Sequence, residues 1–382
     1  MKELNVEDII KLRREIHQNP ELSGRERYTS ERIKKFISKF NPDETITEIA
    51  GNGIAFIFNG KEEGKTILLR SELDALPISE QNSFEYKSLN DNVAHKCGHD
   101  GHMAILSGLA SLLNNNKPKK GKIVFLFQPA EETGEGAKNV LKDEKFNAVK
   151  PDYVFALHNL PGFPINSVII KQGIFASASK GMIVKLSGKT SHASEPENGI
   201  SPVPAVASII QKLPLLPDKM PNKKNFSLIT IIHLRVGSVA FGTSPGEGEI
   251  MATFRAFEND DLDTLTKMSE KIIKEEAKNY GLKYSVDWTE EFPSSINNSG
   301  CVGIVKKCSE KLNLNIIEIE EPFRWSEDFG HFLSKYEGVL FGVGSGKEHP
   351  DLHNPDYDFS DSIIKPSVEL FYSITKEILD NN

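Results

Sequence analysis

Ile123-Val124-Phe125-Leu126-Phe127, running into Gln128-Pro129-Ala130-Glu131-Glu132, sets the architecture of this chain. The run is β-branched and aromatic with no polar face, so it reads as a strand buried on both sides. It leaves through a proline turn into a pair of adjacent carboxylates. Other segments repeat the plan. Thr66-Ile67-Leu68-Leu69 leads into Arg70-Ser71-Glu72-Leu73-Asp74, and Tyr153-Val154-Phe155-Ala156-Leu157 leads into His158-Asn159. Val339-Leu340-Phe341-Gly342-Val343 leads into Gly344-Ser345-Gly346, with His353 nearby. Helical stripes lie between these runs; near the start, Ile33, Phe36, Ile37 and Phe40 keep helical spacing after a break at Asn19-Pro20. The alternation implies an α/β layer fold with a mostly parallel sheet. In such sheets ligands bind beyond the carboxyl ends of the strands. Most strands exit into polar loops; here the exits are an acid, an acid pair and histidines.

The rhythm changes from about Gly181 to Phe292. Met182–Leu186 alternates as a strand, and Val206, Ile209, Ile210 and Leu213 form a helical stripe. Strand patterns follow at Ser227–Val236 and Glu249–Phe257. A second helix is expected from an N-cap at Asp260 or Asp261 to a stop at Gly281, before a last strand through Tyr284, Val286 and Trp288. The order β-α-β-β-α-β is that of a ferredoxin-like α+β unit. The expected organisation is one discontinuous α/β domain, residues 1–180 and 293–382, interrupted by an inserted domain at 181–292.

With 382 residues, two domains are the default. The net charge of −8 disfavours a nucleic-acid partner. Met1–Asp8 lacks a basic region followed by an apolar one, so no signal peptide is expected. No apolar run approaches the ~18 residues of a membrane span. Three cysteines, an odd number, argue against a disulfide framework and for a reducing, cytoplasmic setting. Cys301 and Cys308 share a stripe with Val302, Val305 and Leu312 and read as packing residues. Cys97 lies instead in Cys97-Gly98-His99-Asp100-Gly101-His102. Thiolate, imidazole and carboxylate together suit borderline divalent metals.

These segments, in this order, resemble the di-metal aminoacylase and carboxypeptidase family, and within it the amidohydrolase branch that includes hippurate hydrolase, auxin-conjugate hydrolases and N-acetyldiaminopimelate deacetylase. The resemblance runs from Leu12–His17 and Pro20–Ser23 through Asp74-Ala75-Leu76-Pro77, His95–His102 and Gln128–Glu132. It continues through Leu157–Asn159, Gly188–Ala193, Glu327-Asp328-Phe329 and Leu352–Pro355. It implies two divalent metal ions (manganese, zinc or cobalt) held by Cys97, His99, Glu132, His158 and His353. Cys97 would bridge them, with Glu132 and His353 on one ion and His99 and His158 on the other. The family's nucleophile is a metal-bound water, and Glu131 matches its general base. His192 matches a histidine that steadies the oxyanion, in many members from the partner subunit. The inserted domain would then be a lid and dimerisation domain, and the protein a homodimer. Arg255 could bind a substrate carboxylate or serve as a surface salt-bridge partner.

The implied function is hydrolysis of an N-acyl amino acid or a related small amide. A dipeptidase or carboxypeptidase on the same site is the near alternative, and a silent small-amide binder the distant one; an intact Glu131 speaks against the last. His95, His102 and His349 read as neighbours of the ligands, and His17, His233 and His331 as structural. The sequence departs from the branch at Glu72, usually Asp, at Thr190-Ser191-His192, usually Gly-Gly-His, and at Gly242–Gly248.

Overall fold

In the computed structural model, residues 4–114, 116–221 and 225–380 are described. The chain divides into two compact units. The first comprises Met1–Phe175, Ser295–Glu321 and Asp328–Asn382; the second comprises Ala176–Ser294 and Pro322–Glu327.

The first unit is built on an eight-stranded sheet. In spatial order its strands are Glu44–Ile49, Gly53–Asn59, Lys120–Gln128, Glu62–Glu72, Tyr153–Pro161, Glu337–Gly346, Val168–Ile170 and Ile316–Glu318. The central strands, from Lys120–Gln128 to Glu337–Gly346, run parallel, and the edge Glu44–Ile49 and its neighbour run antiparallel. Phe56, Phe58, Phe125, Phe127, Phe155 and Phe341 are fully buried in the core around this sheet. The helix His99–Leu113 is buried on nearly every side. It packs against the helices Val6–Gln18 and Ile364–Asp380, which explains why it carries no polar stripe. Its Gly101 faces Phe359 so closely that a Cβ there would lie 2.2 Å from the ring. The expected break at Asn19-Pro20 separates Val6–Gln18 from Arg27–Ile37.

Two strands are longer than their apolar runs. Tyr153–Pro161 carries His158 and Asn159 inside the strand, because pairing with Glu337–Gly346 continues past them: Gly342 faces His158 and Val343 faces Asn159. Glu72 likewise closes the strand Glu62–Glu72 by pairing with Gln128. Strand length follows the neighbours' register, and hydropathy alone does not report it.

The second unit has the order Ala178–Ser187, helix Val203–Lys212, Ser227–Val236, Glu247–Ala256, helix Asn259–Asn279 and Lys283–Phe292. Its four-stranded sheet is antiparallel, with Ser227–Val236 and Lys283–Phe292 at the edges. This is the ferredoxin-like arrangement. The helix Asn259–Asn279 begins before the acids expected to cap it, with Glu258 at the N-cap position. The expected assignment of all of 293–382 to the first domain fails for Pro322–Glu327. There Ser177 N donates to the carbonyls of Phe323 and Trp325, and Arg255 reaches Arg324 O and Ser326 Oγ, which ties this strap to the second unit.

Candidate metal centre

The sheet's carboxyl edge brings Cys97, His99, Glu131, Glu132, His158 and His353 together. Cys97, His99 and His158 form one group whose ligand atoms lie within 4.8 Å of one another. Cys97, Glu132 and His353 form a second, and His99, Glu131 and Glu132 a third. Cys97 is common to the first two. Its Sγ lies 3.4 Å from His158 Nε2. His353 Nε2 lies 3.9 Å from Glu132 Oε2, and His99 Nε2 lies 3.8 Å from both Glu131 Oε2 and Glu132 Oε1.

Local backbone explains the convergence. After strand Lys120–Gln128, Ala130 takes φ 53°, the left-handed region that a residue with a Cβ enters only when its surroundings hold it. Glu26 accepts from Ala130 N at 2.9 Å, and Gly136 N donates to Ala130 O at 2.9 Å. The turn frees the Glu131 and Glu132 side chains from the alternation a strand imposes. Glu132 N donates to Asp74 Oδ2, and Asp328 N donates to Glu131 Oε1 at 3.4 Å. His353 also has a left-handed backbone, φ 66°.

The donor set fits divalent ions. His99 Nδ1 donates to Asp74 O at 2.9 Å, and His158 Nδ1 donates to Asn159 O at 2.9 Å. In both rings Nε2 is therefore the atom left to face the cluster, the usual arrangement of a ligating imidazole. His99 Nε2 is buried with no hydrogen-bond partner. Burial alone would depress His99, but Glu72, the bond to Asp74 and the charge of Glu132 outweigh it and push it up to about 10. Burial, then the charge of His102, drives His158 down to about 3, which keeps it in the neutral, ligating form. A cation at this place would answer the carboxylates that otherwise hold a proton on His99.

Supporting residues surround the cluster: sequence reading placed His102 beside the ligands and gave Asp74 and Arg70 no role. Asp74 holds His99 by its carbonyl, Glu132 N by its carboxylate, and Ser23 Oγ at 2.7 Å. Glu72 bonds Arg70 on one oxygen and His102 Nδ1 at 2.8 Å on the other, while His102 Nε2 reaches Asn159 Oδ1 at 2.7 Å. The extra methylene of Glu72 spans that gap. Arg70 also meets Asp328 and Gln128. Adjacent charged and hydrogen-bonding residues on one strand, Arg70 and Glu72, were the available signal.

Two predicted residues lie in the second unit. His192 sits in a short antiparallel pairing, Ser191–His192 against Thr243–Ser244, with its side chain exposed. Ser194 N donates to its Nδ1, and Ser194 Oγ lies 2.6 Å from the same atom. Arg255, on the strand Glu247–Ala256, donates to a carbonyl and a hydroxyl. Among the described residues no carboxylate pairs with it, so the surface salt-bridge alternative does not hold; burial lowers its pKa.

An open α/β sheet with a thiolate, imidazoles and a carboxylate pair gathered at its carboxyl edge defines a metal-dependent hydrolase. The chain belongs to peptidase family M20/M25/M40, whose sequence profile matches residues 68–377. It is 31% identical over 375 residues to an N-acetyl-L-cysteine deacetylase of Bacillus subtilis, covering 98% of this chain and 89% of that protein. It is 28% identical over 371 residues to a hippurate hydrolase of Campylobacter jejuni, covering 97% and 96%. The crystal structure of a Bacillus subtilis protein described as a dinuclear metal binding peptidase of the M20 family superposes with a TM-score of 0.82 at 24% identity, covering 99% of both chains.

Proposed function

We propose that this protein hydrolyses the amide bond of N-acyl amino acids, releasing a carboxylate and an amine. The observation that carries the reading is the pair of ligand groups sharing Cys97, with Glu131 beside them and held by Asp328 N. Cys97, His99 and His158 would hold one divalent ion, and Cys97, Glu132 and His353 the other. Two divalent ions held there would supply Lewis-acid charge at the acyl oxygen and lower the pKa of a water. Glu131 takes the proton of that water as its oxygen bonds to the acyl carbon. It returns the proton to the nitrogen as the C–N bond breaks.

In the second unit, His192 Nδ1 accepts from Ser194 N–H, so the neutral ring carries its proton on Nε2. That tautomer is the one an oxyanion donor requires. Arg255, half-buried and without a carboxylate, suits the carboxylate of the amino-acid portion. The exposed edge strand Ser227–Val236 presents Leu228, Ile232 and Leu234, and the neighbouring loop presents Val239 and Phe241 fully exposed. This edge supports a homodimer formed by strand addition. Among the described residues Cys97, Cys301 and Cys308 form no disulfide, which supports a cytoplasmic setting. Among the described residues no helix is long and apolar enough to cross a membrane.

The test is turnover on acetyl, benzoyl and larger aromatic acyl derivatives of several amino acids. Chelated protein is re-supplied with manganese, zinc or cobalt. The expected result is metal-restored release of amino acid. Cleavage of free dipeptides alone would support a peptidase instead, and binding without product would support a silent binder.

A further inference from the structure

We propose that Lys96 is a positioning residue: its buried ammonium ties the loop of His353 to the loop of Cys97. The proposal rests on the reading of Cys97 and His353 as ligands of one ion. Lys96 is fully buried. Its Nζ donates to Tyr357 O at 2.6 Å and to Glu80 Oε1 at 2.6 Å. Its carbonyl accepts from His353 N at 2.8 Å. One residue, next to Cys97 in sequence, therefore grips the segment 353–357 at both ends. The grip is placed where it is needed. His353 holds a left-handed backbone, φ 66°, which persists only when its surroundings impose it. Its side chain is the most open of the ligand set, 52% exposed, so packing does little to orient it. Tyr357, the far end of the segment, accepts from Asn159 Nδ2 at 2.6 Å on its hydroxyl, which links it to the strand that carries His158.

Loss of the ammonium would leave its partners satisfied. Glu80 keeps His17 Nε2 at 3.0 Å, Ser88 N at 2.7 Å and Asn82 Nδ2 at 3.1 Å; Tyr357 O keeps Asn82 Nδ2 at 3.0 Å. Lys96→Met is thus expected to fold and to loosen only the placement of segment 353–357. Residues that orient a ligand from behind typically change metal affinity ~10–100-fold.

The experiment titrates metal-depleted protein with zinc against a competing chelator, for wild type, Lys96→Met, His353→Ala and the double variant. Wild type is expected to take two ions. Lys96→Met is expected to weaken one of them ~10–100-fold and leave the other unchanged. The double variant should bind no more weakly than His353→Ala, because Lys96 acts through His353. A merely structural lysine would add its own loss in the double variant, or weaken both ions, and either result overturns the proposal. Wild-type binding of both ions by Lys96→Met, with one ion weakened in His353→Ala, also overturns it. Two tightly bound ions in His353→Ala would instead remove His353 from the ligand set, a failure of the underlying reading. If Lys96→Met does not fold, Lys96→Leu, which likewise lacks a donor, is read by the same criteria.

Discussion

His17 is the clearest lever on stability. It lies in a fully buried network, with Nδ1 at 2.8 Å from Asp100 Oδ2 and Nε2 at 3.0 Å from Glu80 Oε1. Arg13 meets the same Asp100 oxygen at 3.2 Å. Burial opposes the charged ring, but the hydrogen bond and charge of Asp100 and the bond to Glu80 prevail, raising His17 from 6.5 to about 9. At about 1.4 kcal/mol per unit, that shift corresponds to roughly 3 kcal/mol of folding free energy. The folded pKa is the higher one, so this contribution is complete below pH 6.5 and is lost as pH rises through 9. Replacement by a neutral isostere, His17→Gln, removes it. Unfolding measured at pH 6, 7.5 and 9.5 should therefore show a gap between wild type and variant that narrows toward alkaline pH by up to roughly 3 kcal/mol. A gap that is constant or widens over this range refutes the reasoning. So does a nitrogen NMR spectrum with a neutral His17 ring at pH 7.5.

The adjacent glutamates should part company: Glu131→Gln retains both ions but loses ~10²–10⁴ in turnover, whereas Glu132→Gln releases an ion, as elemental analysis would show. Gly101→Ala should destabilise by ~1–3 kcal/mol or more in thermal unfolding, since its Cβ would meet the Phe359 ring at 2.2 Å and must displace it. If His192 serves the partner's site, inactive His192→Ala and Glu131→Gln proteins should regain activity when mixed and allowed to exchange, and Phe241→Asp, at a fully exposed apolar residue, should abolish both the exchange and the dimer in light scattering.

Order and type of the elements were legible because they follow from local rules. Ile123–Phe127 has no polar face and must be buried as a strand; the alternation from Met182 onward demands a sheet with one covered face. The roles expected of Cys97, the Glu131–Glu132 pair and the histidines came from the family resemblance, and the fold gathers these side chains at one place. Residues joined across the fold were not. Nothing in the sequence marks Lys96 for its place until Glu80 and the distant Tyr357 are found around its nitrogen. Glu72 reads as a strand-end acid until Arg70 and His102 close on it from opposite sides. Pro322–Glu327 carries no mark in its sequence of belonging to the second unit; the bonds it makes with Ser177 and Arg255 put it there. Hydropathy and spacing report how a segment meets water. The partners of a buried charge, and the pairing that lengthens a strand past its apolar run, are set by which other segments arrive there, and only the folded chain decides that.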